Sequence, residues 1–182
     1  MSGAGPVPYA IELKVGRISS LFDALDPFPI PSRDLAKHAE DFIVGWAREL
    51  PERAPIRILL HLPRVEMEHE SASAVADAFR AHFSDRARVA KGDLDELFRV
   101  GRWSLAVGLG VLAVCVLISR LAHEVLGEAY FSRLLSEGII ILGWVANWRP
   151  LEIFLYDWWP LRKRRALLLR LATASIELRE LV

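Results

Sequence analysis

Cysteine is almost absent from this chain: Cys115 is the only one among 182 residues. No disulfide can form within the chain, and cysteine-based metal or redox motifs are excluded. Net charge is absent too, with 23 basic residues against 23 acidic, so no global field would draw the protein to nucleic acid. A glycine-rich phosphate loop, a nucleophile elbow and a Cys/His cluster are all lacking. The five histidines stand apart, at 38, 61, 69, 82 and 123. Neither His69-Glu70 nor His123-Glu124 has the second histidine, four residues on, that a zinc-protease helix requires. The first thirty residues hold Pro6, Pro8, Glu12, Asp23 and Asp26 rather than a basic start followed by an apolar run, so no secretory signal is expected. These absences point to a chain with no metal, no cofactor and no nucleic-acid partner.

What is present in quantity is apolar length. Trp103–Ser119 carries no charge, and Trp103–Leu121 is close to the roughly 20 residues that cross a bilayer as a helix. Cys115 lies inside this run and reads as a small apolar filler. A second apolar segment, Gly138–Trp159, contains Arg149, Glu152 and Asp157. The pair reads as a transmembrane helical hairpin. Basic residues flank it on one side only: Arg80, Arg86, Arg88, Lys91, Arg99 and Arg102 before the first span, Arg162, Lys163, Arg164, Arg165 and Arg170 after the second. Between the spans only Arg120 and Arg133 are basic. The positive-inside rule then puts both termini in the cytoplasm and 122–136 outside as a short loop. Trp103, Trp158 and Trp159 would mark the inner interface, Tyr130 and Phe131 the outer one.

The rest of the chain has room for one modest soluble domain. After a loose tail at 1–9, Ile11, Leu13 and Val15 alternate with Glu12 and Lys14 as in a half-buried strand. Ile18, Leu21, Phe22 and Leu25 suggest a short helix, which the Pro27/Pro29/Pro31 stretch ends. Ser32 is the expected N-cap of a helix with Asp34 in its first turn and Leu35, Ala39, Phe42, Ile43, Trp46 and Leu50 on one face, ended by Pro51. Ile56–Leu62 reads as a second strand, and 71–100 as a long helix that can run into the first span. Ser175–Leu181 alternates again, so a third strand in the 160–182 region can join the first two. The expected fold is therefore a cytoplasmic α+β (or small α/β) domain over 10–100, about three strands with flanking helices, on a two-helix hairpin at 103–121 and 137–159.

Two stretches carry a resemblance. Asn147-Trp148-Arg149-Pro150-Leu151-Glu152-Ile153-Phe154-Leu155-Tyr156-Asp157-Trp158-Trp159-Pro160 is unusual, as is Leu21-Phe22-Asp23-Ala24-Leu25-Asp26-Pro27 followed by Arg33-Asp34-Leu35. Together they resemble a group of uncharacterised bacterial two-span membrane proteins that share this layout along nearly the whole chain. The resemblance implies a bacterial inner-membrane location and a cytoplasmic α/β part; it implies no activity and carries no catalytic residue.

Arg149 and Glu152 are the candidate functional pair of the membrane part. In an unbroken span from Gly138 to Trp159, about 33 Å long, both would sit near mid-membrane, where each charge costs about 2.5–3.5 kcal/mol unless paired or hydrated. Alternatively the span ends near Trp148 and Pro150 sits in the first turn of a new helix lying in the inner interface, with Leu151, Phe154, Leu155 and Trp158 on its apolar face and Glu152 and Tyr156 opposite. Ser104, Ala106, Gly108 and Gly110 line the first span and would pack on Gly138 and Gly143 of the second, or on another copy. A weaker candidate is a rim at the strand ends: His61 closing the second strand, with Asp23, Asp26 and Arg33 after the first. Glu66, Glu68 and Glu70 read as a solvated helix start, and Arg162–Arg165 as an anchor for anionic lipid.

The functional expectation is a non-enzymatic membrane scaffold or oligomeric interaction protein, its partners the bilayer, further copies of itself or another membrane protein. A small channel or transporter subunit using Arg149 and Glu152 is the second reading, and an enzyme at the sheet rim the third.

Overall fold

The computed structural model describes residues 9–24, 26, 29–30, 33–52, 54–69, 71–126 and 130–181. Ser32, Leu25, Pro27, Pro31 and almost all of the expected tail lie outside them, as do the side chains of His69, His123, Tyr130 and Phe131. The chain forms two compact units, one made of the residues up to Ala90 together with those from Lys163 on, the other of Lys91–Arg162.

The first unit is mixed helix and sheet. Three parallel strands, β1 (Tyr9–Lys14), β2 (Ile56–Leu62) and β3 (Ser175–Glu180), lie in the order β1-β2-β3. Their register aligns Ile11 with Ile58 and Ile176, and Leu13 with Leu60 and Leu178. Those two rows form the apolar face. Against it pack Ala39, Ile43 and Ala47 of α1 (Lys37–Glu49), Val75, Ala78, Phe79, Phe83 and Ala87 of α3 (Ala72–Leu126), and Leu168, Leu171 and Ala172 of α6 (Trp158–Ala172). Parallel strands need crossovers rather than hairpins, and here helices supply them. The third strand matters because two strands alone are marginal.

Several local expectations are corrected. The segment after β1 is a single 3-10 turn, Ile18–Leu21, and Phe22 leaves it to bridge Leu35 in antiparallel pairing. Leu35 and Asp34 are therefore outside the helix, which starts at Lys37 with Ala36 as its N-cap. Buried Ala39, Ile43 and Ala47 recur every four residues and define the core face of α1, whereas Phe42 and Trp46 are about half exposed, their rings tilted against each other at 6.1 Å. Small side chains win that face because α1 lies close over the sheet. Glu66, on the short α2 (Arg64–His69), is not merely solvated: its carboxylate accepts the backbone N–H of Ile18 at 3.1 Å, satisfying a donor that the 3-10 turn leaves open. Glu66→Gln is expected to lower the stability of this unit by about 1 kcal/mol, read from its denaturant midpoint, because a charge-assisted acceptor becomes a neutral one.

Helix α3 runs without interruption from Ala72 to Leu126, through Gly92 and into the uncharged run. It is long and apolar enough to cross a membrane, with a mean hydropathy of 2.2 in its best window and only 11% of that window buried. Among the described residues it alone meets that requirement outright. The expected second span is not one straight helix. It comprises α4 (Tyr130–Val145), a turn at 146–147, α5 (Trp148–Glu152), a π-helical stretch Ile153–Asp157 and then α6, with a bend of 40° at the turn.

Candidate functional site

The second unit is organised by three close approaches. A Cβ on Gly101 would fall 2.8 Å from Ile153; one on Gly108 would fall 3.0 Å from the Ala146 carbonyl; one on Gly143 would fall 3.2 Å from the Leu112 backbone. The 143–154 stretch thus runs antiparallel to α3, Ile153 beside Gly101 and Gly143 beside Leu112 and Cys115. Of the expected packing residues, Gly108 and Gly143 are in contact, whereas Gly110 and Gly138 face open space. Gly101 belongs in the set and was not singled out from the sequence, because it lies outside the apolar run.

The second apolar segment breaks at Ala146-Asn147, close to the end near Trp148 that the interfacial reading expects, and Pro150 lies in the first turn of the new helix α5. Pro150 is the third residue of α5, and its missing N–H removes the bond that the Ala146 carbonyl would have accepted. The chain turns at Ala146-Asn147 instead. The backbone N–H of Asn147 goes to Trp144 rather than to Gly143. Its side-chain amide then donates to the Gly143 carbonyl and across to the Gly108 carbonyl, both at 3.0 Å. Asn147 is buried and repairs the ladder that the turn breaks. Nothing in the sequence flagged it except its place one turn before a proline.

Arg149 stands on α5 with Nη1 3.2 Å from Glu152 and 3.1 Å from Asp157. Glu152 also accepts the indole N–H of Trp148 at 3.1 Å. The pair singled out from the sequence is therefore a triad. Asp157 lies eight residues past Arg149, off its face in a regular α-helix; the wider turn of the π-helix resets the phase and brings it round. Burial along the same stretch is uneven. Ile153 and Pro150 are buried, whereas Leu151 and Leu155 are exposed and Phe154 stacks on Phe98. Because Ile153 touches Gly101, Glu152 stands close to the level of Trp103, at the charged end of the apolar run rather than in its middle.

His61 Nε2 faces Glu12 at 3.5 Å. Asp26 accepts the backbone N–H of Asp34, and Asp23 bonds through its own backbone N–H to the Asp34 carbonyl. Arg33 follows in the same loop, one residue before Asp34. Among the described residues no group of three or more His, Cys, Asp or Glu side chains is placed to hold a metal ion. A cavity of about 340 Å³ does open beside the carboxyl end of β1, over Leu13, Val15, Leu21 and Ala39; its polar residues Glu12, Lys14, Ser20 and His38 are all exposed.

A buried polar cluster was missed by sequence reasoning. Glu40, on α1, meets Arg86 of α3 through Nε at 3.0 and 3.1 Å and through Nη2 at 2.5 Å. His82, one turn earlier, places Nδ1 3.0 Å from Asp34 and 3.3 Å from the Leu35 N–H, with Nε2 3.5 Å from Glu40. Burial pushes the Glu40 carboxyl up, but the Arg86 hydrogen bonds and charge, with His82 beside them, outweigh it and hold the group below its usual value. Hydrogen bonding to Glu40 raises Arg86 in turn. The i, i+4 spacing of His82 and Arg86 along α3 was the available signal, hidden by an otherwise apolar reading of that helix.

Compared with known proteins, the chain matches no family model, no curated protein and no solved structure. Function rests on the geometry alone.

Proposed function

We propose that this chain is a two-span protein of a bacterial inner membrane, both termini cytoplasmic, acting as a non-enzymatic scaffold that presents its α+β unit to further copies or to another membrane protein. The observation that carries the reading is the exposure of α3: Val107, Leu109, Val114, Leu117 and Leu121 are each more than half exposed, an apolar surface that water does not tolerate on this scale and lipid does. The antiparallel run of 143–154 beside α3 supports a second crossing, kinked at Asn147, with its backbone groups satisfied by that side chain. Arg162–Arg165 suits anionic headgroups, Arg162 resting over the Trp158 ring at 5.7 Å.

The level of Glu152 near Trp103, beside Arg99 and Arg102 in sequence, favours the interfacial reading of the triad over a conduction path. A scan of single cysteines from 147 to 159 in a Cys115→Ala background, labelled with a membrane-impermeant thiol reagent, tests it. Labelling from the cytoplasmic side at 152 and 156, with protection at 150 and 153, is the expected result. Protection on both sides of 152 would move the triad into the membrane and hand the lead to the channel reading.

A further inference from the structure

The sheet of the first unit has a second face. Facing away from the apolar rows, the register aligns Lys14 with His61 and Arg179, Glu12 with Leu59 and Glu177, and Ala10 with Arg57 and Ser175. Parallel sheets are found almost only with both faces covered. Here the helices whose residues join the core, α1, α3 and α6, pack on the apolar rows. Connections of one hand between strands in the order β1-β2-β3 lie on one side of a sheet, so among the described residues none of these helices covers the other, where Glu12, Lys14 and Arg179 are exposed and Leu59 is buried between its neighbours. The open face is only partly satisfied by itself. Arg57 Nε stands 3.2 Å from Glu177 and His61 Nε2 3.5 Å from Glu12, yet neither nitrogen is aligned for a hydrogen bond although both are buried from water.

We infer that this face is an interface between two copies of the chain, packed sheet to sheet about a two-fold axis. The argument is charge order. A basic row (Lys14, His61, Arg179) lies next to an acidic row (Glu12, Glu177, with Leu59 between), and an arginine, Arg57, beyond. Rotation about a two-fold axis lying between the first two rows sets the basic row of one copy over the acidic row of the other, twice by symmetry. Such a surface matches itself and repels a partner whose rows are uniformly of one sign. The face is small, on the order of 250 Å² for three strands of six residues, so the contact requires the high local concentration that a shared membrane provides. The inference rests on the scaffold reading and gives that scaffold its partner.

The test uses the full chain in native membranes, with Cys115→Ala and a reporter Ser175→Cys at the rim of the face. A bifunctional thiol crosslinker is expected to yield dimer. Lys14→Glu with Arg179→Glu makes the face acidic and is expected to cut that dimer at least about tenfold, the scale of a lost close charge pair. Glu12→Lys with Glu177→Lys makes it basic and acts alike. Coexpressing the two reversed chains restores the crosslink as a heterodimer, which a misfolded variant cannot do. Undiminished dimer in either reversed chain, or no rescue on coexpression, overturns the face. Subunit counting and crosslinking in the same membranes separate the two ideas: a wild-type chain that is monomeric and crosslinks to no other membrane protein sinks the scaffold along with the face, whereas an oligomer of unchanged number in the reversed chains sinks the face alone.

Discussion

Replacing Arg86 with methionine is expected to destabilise the sheet-bearing unit by about 3 kcal/mol at neutral pH, the lower end of what an uncompensated buried charge costs. The partners are unequal. Glu40 keeps 8% of its side chain exposed and Arg86 keeps 44%. Stripped of Arg86, the carboxylate stays inside with only the His82 edge near it; stripped of Glu40, the guanidinium can turn to water. Glu40→Gln is therefore expected to cost less, roughly 1–2 kcal/mol. Denaturant unfolding of the full chain in detergent, followed on the sheet-bearing unit, measures both, and equal losses would contradict the asymmetry.

The pH dependence follows from the same pair. The folded-state pKa of Glu40 lies below its ordinary value of 4.5. Its contribution to stability is thus fully present above about pH 4.5 and lost as the pH falls through the lower, folded value. In Arg86→Met the balance inverts, because burial then dominates and favours the protonated acid. The deficit of that variant should be largest at neutral pH, begin to shrink above pH 4.5 as the pH falls through the variant's raised folded value, and shrink further below 4.5 as the wild-type chain loses its own contribution. A deficit that does not change with pH would remove Glu40 from the explanation.

The second large effect is Gly108→Val. A Cβ there meets Asn147 Oδ1 at 2.7 Å and the Ala146 carbonyl at 3.0 Å, and the backbone carbonyl cannot swing aside as a flexible side chain would. Separation of α3 from the turn also breaks the Asn147 bond to the Gly108 carbonyl. A loss of about 2–3 kcal/mol is expected, at the upper end for overpacking, read as a lower thermal midpoint of the chain in micelles. Gly110→Val is the matched control. Nothing lies within 4 Å of its Cβ position, so the packing of the unit should hold within about 0.5 kcal/mol. Equal losses at 108 and 110 would mean that the 143–154 stretch does not lie where Gly108 touches it. A fall in subunit number for Gly110→Val, with the midpoint unchanged, would mark that face of α3 as a contact between copies.

Periodicity was enough for elements whose partner is uniform. Ile11/Leu13, Ile56/Ile58/Leu60/Leu62 and Ile176/Leu178 alternate because one sheet face meets the core, and Val75, Phe79, Phe83 and Ala87 recur at helical spacing for the same reason. The uncharged run 103–119 read as apolar helix on composition alone. The sequence did not disclose which of two apolar faces a helix would use when close packing favours alanine over tryptophan, as on α1. The Arg149 site was legible as a charged pair and illegible as a triad, since Asp157 reaches it only through the wider turn of the π-helix.

By itself the sequence determined three alternating strands, an amphipathic helix leading into an uncharged apolar run, and the absence of cysteine or glycine-loop chemistry; each of these is a local pattern of side chains. Only the tertiary structure decided that the strands are parallel with the C-terminal one beside β2, that Glu40, His82 and Arg86 share a buried site, and that glycines 101, 108 and 143 rather than 110 and 138 make the close contacts. Those outcomes depend on which residues distant in the chain meet, and that is set by the packing of whole faces, not by the spacing along any one of them.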